Sequence, residues 1–216
     1  RLKEKGKDDT LKLVQDISDI AKFVYVRQKE QLGDGHAILQ AKDMVGDEPV
    51  AVLFGDDIVD SKIPCIKQMF RVYEKYQDPV IAVFEVPKEE VSYYGVIAGV
   101  ETEDRVYQIK ELVEKPPAGK APSNLAIVGK YIITPEVFQA LENADAGLTD
   151  GEIRLIDGFR ALLKTRSIYG YKFAGTWYNC GNKLEYLKAV VNFGLRHEEV
   201  KEGFEKHLKE IAKKIS

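Results

Sequence analysis

The order of apolar and polar segments predicts an α/β fold in which helices flank a mixed, mostly parallel sheet and a further helix ends the chain. First, strand-like apolar runs alternate with helix-periodic segments through the first half of the sequence, as parallel crossover units require. Second, two apolar runs in the middle of the chain are joined by a short polar turn, which is typical of an antiparallel pair. Third, the final segment has apolar residues on one helical face and Lys and Glu on the other.

Start signals and apolar spacing define the elements of the first half. Leu13, Ile17 and Ile20 recur at helical spacing behind the polar start signal at 8–10. Glycines at 33 and 35 open the next helical pattern. In chain order we expect a helix ending near 21, a short buried strand at 23–26, a helix over 37–45, a strand at 50–54, a helix over 63–76 and a strand at 80–86.

Turn and capping signals define the second half. Prolines within 114–122 remove backbone donors, so this segment is predicted to be a surface loop. Thr134 and Pro135 supply an N-cap and a first helical proline, and Thr149 with Glu152 matches a capping box. In chain order we expect strands at 95–100, 106–113 and 125–133, a helix from 135, a helix from the capping box to about Lys164, a strand at 167–173, and helices from 182 onward.

The C-terminal segment has an apolar stripe on one helical face, formed by Val200, Phe204, Leu208, Ile211 and Ile215. Such a stripe must pack on the body of the protein or on a second subunit, and we expect a homo-oligomer. No linker rich in Gly, Ser or Pro divides the chain. We therefore expect one domain over residues 1–216.

Composition and charge restrict the class of partner. The 216 residues contain 32 Lys and Arg against 35 Asp and Glu, a net charge of -3. This balance gives no bulk field that attracts nucleic acid or an anionic membrane, so we expect neither as a partner. Cys65 and Cys180 form no C-x-x-C motif, and no apolar run approaches the ~20 residues of a membrane-spanning helix. We expect a cytoplasmic protein that acts on a small anionic substrate.

Two carboxylates follow the strand at 50–54, in the segment Gly55-Asp56-Asp57. Ligands in open α/β sheets collect beyond the carboxyl ends of strands, and carboxylates with substrate phosphates suit Mg²⁺. The alternative is a turn in which Asp57 caps the following segment. These residues alone do not decide between the two interpretations.

Glycines surround Asp34 in the segment Gly33-Asp34-Gly35-His36, where a helix is predicted to start. Unpaired amides at such a start favour an anion or a nucleobase carbonyl. The segment is neither G-x-G-x-x-G nor G-x-x-x-x-G-K-[ST], which disfavours a dehydrogenase-type dinucleotide site and a P-loop. We interpret His36 as a residue of the helix start rather than as a catalytic base.

Glu114-Lys115-Pro116 ends a predicted strand with a carboxylate that can accept sugar hydroxyls and an ammonium that can pair with a phosphate. The alternative is a surface ion pair beside a rigid turn. Two aromatic segments also have purely structural interpretations. Residues 93–96 can be the start of a strand, and residues 177–181 can be part of the core followed by a turn.

Taken in order, six segments resemble the prokaryotic-type UTP:glucose-1-phosphate uridylyltransferases, also called UDP-glucose pyrophosphorylases. The segments lie at 26–37, 53–58, 94–97, 111–116, 151–157 and 178–183, and the likeness extends over essentially all 216 residues. The resemblance implies a nucleotidyltransferase-type, Rossmann-like fold. It also implies uridylyl transfer from UTP to glucose 1-phosphate with Mg²⁺, giving UDP-glucose and pyrophosphate.

The resemblance implies a role for each matched residue. Carried over motif by motif, Gln28 and Gly33 face the uracil, Asp56 holds Mg²⁺, Gly95 and Glu114 contact the glucose, and Lys115 binds the sugar phosphate. Asp56 and Lys115 are the two residues we expect to take part in catalysis, by neutralising charge on the phosphates.

The sequence departs from the family pattern in three places. The glycine-rich G-x-G-T-R loop and the P-K-E segment that surround the triphosphate have no counterpart in these 216 residues. We therefore expect an N-terminally incomplete domain that binds UDP-glucose but does not form it at a measurable rate. Asn179 replaces the usual Asp, and Arg154 and Ile156 replace Gln and Thr in the pattern Glu-Ile-Gln-Leu-Thr-Asp. The alternatives are a thymidylyltransferase acting on glucose 1-phosphate, and a non-catalytic subunit that binds sugar nucleotide or mediates assembly.

Overall fold

The computed structural model describes residues 3–117, 119–143 and 151–215 and confirms the mixed α/β class with a C-terminal helix. The helices are α1 (Asp8–Asp19), α2 (Asp34–Leu39), α3 (Lys42–Val45), α4 (Cys65–Tyr76), α5 (Pro135–Glu142), α6 (Leu155–Leu162), α7 (Lys183–Gly194) and α8 (Lys201–Ile215). The strands are β1 (Val50–Leu53), β2 (Asp57–Asp60), β3 (Val80–Glu85), β4 (Gly95–Glu103), β5 (Val106–Glu114), β6 (Leu125–Ile133), β7 (Tyr169–Lys172) and β8 (Thr176–Asn179).

Six strands form the main sheet in the order β1-β6-β3-β7-β5-β4, and β2 pairs with β8 in a separate two-stranded ribbon. Four of the six strands, β1, β3, β4 and β7, run in the same direction. Among the described pairings of this sheet, however, only β3 with β7 is parallel. Most strands therefore run in one direction, as expected, but most hydrogen-bonded neighbours are antiparallel. One reason is that β6 lies between β1 and β3 and runs antiparallel to both.

Residues that alternate along β3 pack on opposite faces of the sheet. Ile81 and Val83 belong to a core with α5 and α6, whereas Val80 and Ala82 belong to a core with α4. Because successive strand residues point to opposite faces, this run is apolar throughout. Both faces of the central sheet are thus covered. The end of β1 and the start of β4 both pair with β6, and the site lies between them.

Three local predictions are wrong. Residues 23–26 form no strand, and Tyr25 there is 91% exposed, because no described strand pairs with this segment. The strands β2 and β8 were not predicted as strands. Thr149 of the predicted capping box lies outside the described residues, but Glu152 is not helical and α6 begins at Leu155. The reason is that the amide of Ile153 bonds to the carbonyl of Leu32 instead of continuing a helix.

The apolar stripe of α8 packs on the body only in part. Phe204 contacts Gly194 of α7, since a Cβ on that glycine would lie 2.8 Å from the Phe204 ring. Ile211 and Ile215 remain 38% and 80% exposed. Within the described ranges, no helix has both the length and the apolar character needed to cross a membrane.

Candidate functional site

A cavity of about 310 Å³ lies beside β6, between the end of β1 and the facing ends of β4 and β5. It is lined by all four residues expected to contact metal, glucose or sugar phosphate, namely Asp56, Gly95, Glu114 and Lys115. These residues come from two distant parts of the sequence, the β1–β2 turn and the facing ends of β4 and β5. The fold thus brings the predicted residues to one place.

Asp56 lies in the exposed turn between β1 and β2. Its carbonyl accepts a hydrogen bond of 2.7 Å from the amide of Cys180. A Cβ placed on Gly181 would lie 3.2 Å from Asp56 Oδ2 and 3.1 Å from Asn179 Oδ1. Both oxygen atoms therefore lie close to Gly181, whose amide donates to Asn179 Oδ1 at 3.1 Å.

This oxygen pair fits Mg²⁺, which takes few protein ligands and completes its shell with water and substrate phosphates. No group of three or more His, Cys, Asp or Glu side chains that could hold a metal occurs among the described residues. Asp56 and Asn179 thus do not form a site made only of protein ligands, which structural zinc requires.

Asp57 has a different role from its neighbour. Its Oδ1 accepts a 2.6 Å hydrogen bond from Trp177 Nε1, and its Oδ2 accepts a 2.8 Å hydrogen bond from the amide of Gly129. Burial raises the pKa of the Asp57 carboxyl, and the two hydrogen bonds oppose that rise. The interpretation of Asp57 as a cap of the following segment is wrong, because both oxygens bond to other strands.

Gly95 and Glu114 are directly opposite each other in the antiparallel pair of β4 and β5. A Cβ on Gly95 would approach Glu114 Oε2 to 2.9 Å, so glycine leaves this carboxylate open to the cavity. Lys115 follows with a left-handed φ of 42°, and its amide donates to the carbonyl of Tyr94 at 3.1 Å. Lys115 Nζ lies 3.8 Å from Glu114 Oε1, and the Lys115 side chain is 64% exposed. Both side chains can therefore turn to a ligand.

The predicted uracil-binding residues lie together but do not line this cavity. Gln28 Nε2 donates to the Gly33 carbonyl at 2.9 Å. Gly33 has a φ of 99°, and a Cβ there would lie 2.6 Å from the Ile153 carbonyl oxygen, so only glycine fits. Neighbouring Asp34 does line the cavity, which connects the Gln28 segment to the rest of the site.

The expectation of unpaired amides at the start of α2 fails for Gly35, His36 and Ala37. The amide of Gly35 bonds to Asp34 Oδ1 at 2.7 Å. The amide of His36 bonds to the carbonyl of Ile153, and that of Ala37 to the carbonyl of Gly33. Asp34 Oδ1 also accepts from the amide of Leu155 at 3.0 Å. These amides fix the loop to the start of α6 and are not free to bind a ligand.

Sequence reasoning assigned no role to several residues of the site. Trp177 packs against Tyr94 with ring centroids 5.2 Å apart. Arg154, noted only as a departure, lines the cavity and pairs with Glu152 at 2.9 Å. The sequence did contain a signal for the contact between Gly129 and Asp57. Gly129 interrupts an apolar strand, and an isolated glycine in a strand often marks a close approach of another group.

Known proteins are similar to the chain over most of its length. The family described as "Nucleotidyl transferase" matches residues 3–194. A UTP–glucose-1-phosphate uridylyltransferase of Staphylococcus haemolyticus is 47% identical over 97% of this chain and 73% of that protein. A UDP-glucose pyrophosphorylase solved with UDP-glucose is 41% identical, with a TM-score of 0.82 over 89% of this chain and 74% of that one. A UTP-bound enzyme of the same name from Acinetobacter baumannii is 36% identical, with a TM-score of 0.86 over 97% of this chain and 73% of that one.

Proposed function

Because this chain belongs to the UTP–glucose-1-phosphate uridylyltransferase family of nucleotidyl transferases, we propose that its cavity serves uridylyl transfer from UTP to glucose 1-phosphate. The products are UDP-glucose and pyrophosphate. The observation that carries the proposal is that Asp56, Gly95, Glu114 and Lys115 line one cavity. Together these residues would supply a ligand for a metal, a carboxylate that accepts hydrogen bonds from the sugar, and a cation that pairs with a phosphate.

In this reaction the main task of the protein is to position the two substrates. An oxygen of the glucose 1-phosphate phosphate attacks the α-phosphorus of UTP in line, and pyrophosphate leaves. A phosphate dianion is already a nucleophile at neutral pH, so no general base is needed. Glu114 would accept glucose hydroxyls where Gly95 leaves room, and Lys115 would pair with the attacking phosphate.

A divalent metal, which we propose to be Mg²⁺, would be held by Asp56 together with Asn179. When bound, it would neutralise charge that develops on the phosphates. Asn179 is neutral, so Asp56 would provide the single formal charge of this ligand pair. Gln28 and Gly33 would face the uracil from the segment that Asp34 connects to the cavity.

We also propose that the protein works in the cytoplasm. Cys65 and Cys180 are both free thiols, as a reducing compartment favours. UTP and glucose 1-phosphate are charged metabolites, which suits the same location.

The test compares sugar nucleotides by titration calorimetry with and without Mg²⁺. We expect Mg²⁺-dependent binding of UDP-glucose that is at least about tenfold tighter than that of dTDP-glucose. The two differ by the thymine methyl group and the ribose 2′-hydroxyl, and excluding one methyl group alone is worth about that much. Equal affinities would favour the thymidylyltransferase alternative. No binding of either compound would contradict the proposal.

A matched pair of variants tests the sugar contact. Glu114→Gln should weaken UDP-glucose and leave UDP unaffected, because only the sugar touches this carboxylate. Glu111→Gln, exposed on the same strand β5, should change neither affinity. If Glu114→Gln weakens UDP and UDP-glucose to the same extent, Glu114 does not contact the sugar.

A further inference from the structure

One partly buried carboxylate connects the two sheets beside the candidate metal ligands. Asp57 begins β2, and its two oxygens accept hydrogen bonds from Trp177 of β8 at 2.6 Å and from Gly129 of β6 at 2.8 Å. The Asp57 side chain thereby joins the ribbon of β2 and β8 to the centre of the main sheet, in addition to the packing of Trp177 on Phe84 of β3. A charge-assisted hydrogen bond of this kind is stronger than a neutral one.

The surrounding packing allows Asp57 one position. A Cβ on Gly129 would clash with Asp57 Oδ2 and would lie 2.6 Å from Phe54 Cβ. The nearby ammonium of Lys130 donates to the Phe54 carbonyl at 2.8 Å, which fixes the end of β1 against β6. The carboxylate therefore lies between fixed groups and has little freedom to reorient.

The position of Asp57 determines where Asn179 lies. Asp57 is directly opposite Asn179 in the ribbon, and Val59 is opposite Trp177. Trp177 and Asn179 are two residues apart on β8, so their side chains share one face of the ribbon. The hydrogen bond that holds Trp177 therefore also orients the strand segment that carries Asn179, whose Oδ1 lies near Gly181 as Asp56 Oδ2 does.

From this geometry we infer that Asp57 is a positioning residue that fixes the spacing between Asp56 and Asn179, and through it the affinity of the site for a divalent metal. The inference rests on the proposed function, which places the metal between these two side chains. Residues that orient metal ligands through hydrogen bonds typically change metal affinity by about 10- to 100-fold when they are replaced.

The experiment measures binding of Mn²⁺ to the 216-residue chain by electron paramagnetic resonance in the presence of UDP-glucose. Asp57→Asn offers only one acceptor oxygen for two donors, and Trp177→Phe removes one donor and keeps a ring. We expect each variant to weaken Mn²⁺ by about tenfold or more. The double variant should be no weaker than about the worse single variant, because both changes remove the same contact.

Val72→Ala is the matched control, since it removes two methyl groups from the core that also packs against Trp177 and leaves both Asp57 hydrogen bonds in place. It should lower the melting temperature and leave Mn²⁺ affinity unchanged. If it weakens Mn²⁺ as much as Asp57→Asn does, general destabilisation explains the effect and the inference fails. Should Asp57→Asn not fold, Trp177→Phe and the control decide the matter.

The outcomes separate this inference from the proposed function. If UDP-glucose binds but Mn²⁺ affinity is the same in wild type, Asp57→Asn and Trp177→Phe, the inference is overturned and the function stands. A wild-type chain that binds no Mn²⁺ also overturns it. If Mn²⁺ affinity falls in the two variants while UDP-glucose does not bind to the wild type, the positioning role is supported and the sugar nucleotide assignment is wrong.

Discussion

Asp56 is a single exposed carboxylate at the end of a strand, and its neighbour Asn179 brings no charge. Asp56→Asn should therefore abolish the Mg²⁺ dependence of UDP-glucose binding and weaken binding at saturating Mg²⁺ by about tenfold or more. The fold should be retained because the side chain is exposed in a turn. Calorimetry at several Mg²⁺ concentrations measures the effect.

Asp60→Asn is the control for this prediction. It changes a carboxylate of the same strand β2, but at the far end, where Asp60 pairs with Arg196 at 2.8 Å. This variant should keep the Mg²⁺ dependence of the wild type. If Asp56→Asn responds to Mg²⁺ as the wild type does, Asp56 is not the metal ligand.

Among the residues that the structure describes, none holds the Lys115 side chain away from the cavity by a side-chain hydrogen bond. Its Nζ lies 3.8 Å from Glu114 Oε1. Lys115→Met should weaken glucose 1-phosphate by roughly tenfold, since a lost phosphate contact to a charged group is worth about 1.5 to 3 kcal/mol. Lys120→Met, in the exposed part of the same loop, should leave that affinity unchanged. Equal affinities in both variants would place the phosphate elsewhere.

Adjacent residues in the sequence can have opposite roles that only the tertiary contacts distinguish. Asp56 and Asp57 are the same residue type at the end of the same strand, and the sequence predicted a metal–phosphate site or a turn for the pair. Both carboxylates line the cavity, but which of them is held by hydrogen bonds depends on Trp177, 120 residues later in the chain. No local signal contains that information, although the glycine at 129 indicated that some atom comes close to β6.

At the scale of the element, the close approach in β6 can be tested through its glycine. Gly129→Ala should lower stability by about 1 to 3 kcal/mol, because the new methyl group has no space beside Asp57 and Phe54. This corresponds to a fall of about 3 to 10 °C in melting temperature for a chain of this size.

Gly203→Ala is the opposite case and serves as the control. Gly203 lies inside α8, and no atom lies within 4 Å of its would-be Cβ. The substitution should raise the melting temperature by about 1 to 3 °C, since alanine is the better helix former by roughly 0.5 to 1 kcal/mol. A neutral Gly129→Ala would show that β6 can move away from Asp57.

Elements with strong local periodicity could be predicted, and elements defined by a distant partner could not. The strand β6 was predicted with its observed bounds, and α4 and β3 within two residues. The ribbon of β2 and β8 was missed because each strand has only four residues and finds its partner across the molecule. Apolar residues at 23–26 predicted a strand from β propensity alone, which context overrides.

At the scale of the whole molecule, the exposed part of α8 tests the expected homo-oligomer. Ile211 and Ile215 are the most suitable positions, because Phe204 already packs on Gly194. Changing both isoleucines to Glu should lower the mass measured by light scattering, since each large side chain buried at an interface contributes roughly 1.5 to 3 kcal/mol. Lys206→Glu, exposed on the same helix, is the control. A monomer before and after the change would refute the interface.

The cavity and its missing loop lead to a prediction about the chain as a unit. The cavity presents Asp34, Asp56, Asp57 and Glu114 against the cations Lys115 and Arg154, so a triphosphate there needs further donors to neutralise it. The amide-rich loop that supplies them in the family has no counterpart in these 216 residues. UDP-glucose carries fewer charges than UTP and also contacts Glu114 and Gly95 through its sugar.

We therefore expect this chain to bind UDP-glucose with Mg²⁺ but to release no measurable pyrophosphate from UTP and glucose 1-phosphate, because the reacting phosphates are not held in line. Calorimetry and a coupled pyrophosphate assay on the same sample check both halves. Pyrophosphate release at ordinary enzymatic rates would show that the residues present suffice to orient the triphosphate. If the chain shows no binding of UDP-glucose and no release of pyrophosphate, the results favour a non-catalytic assembly role, in which α8 rather than the cavity is the functional surface.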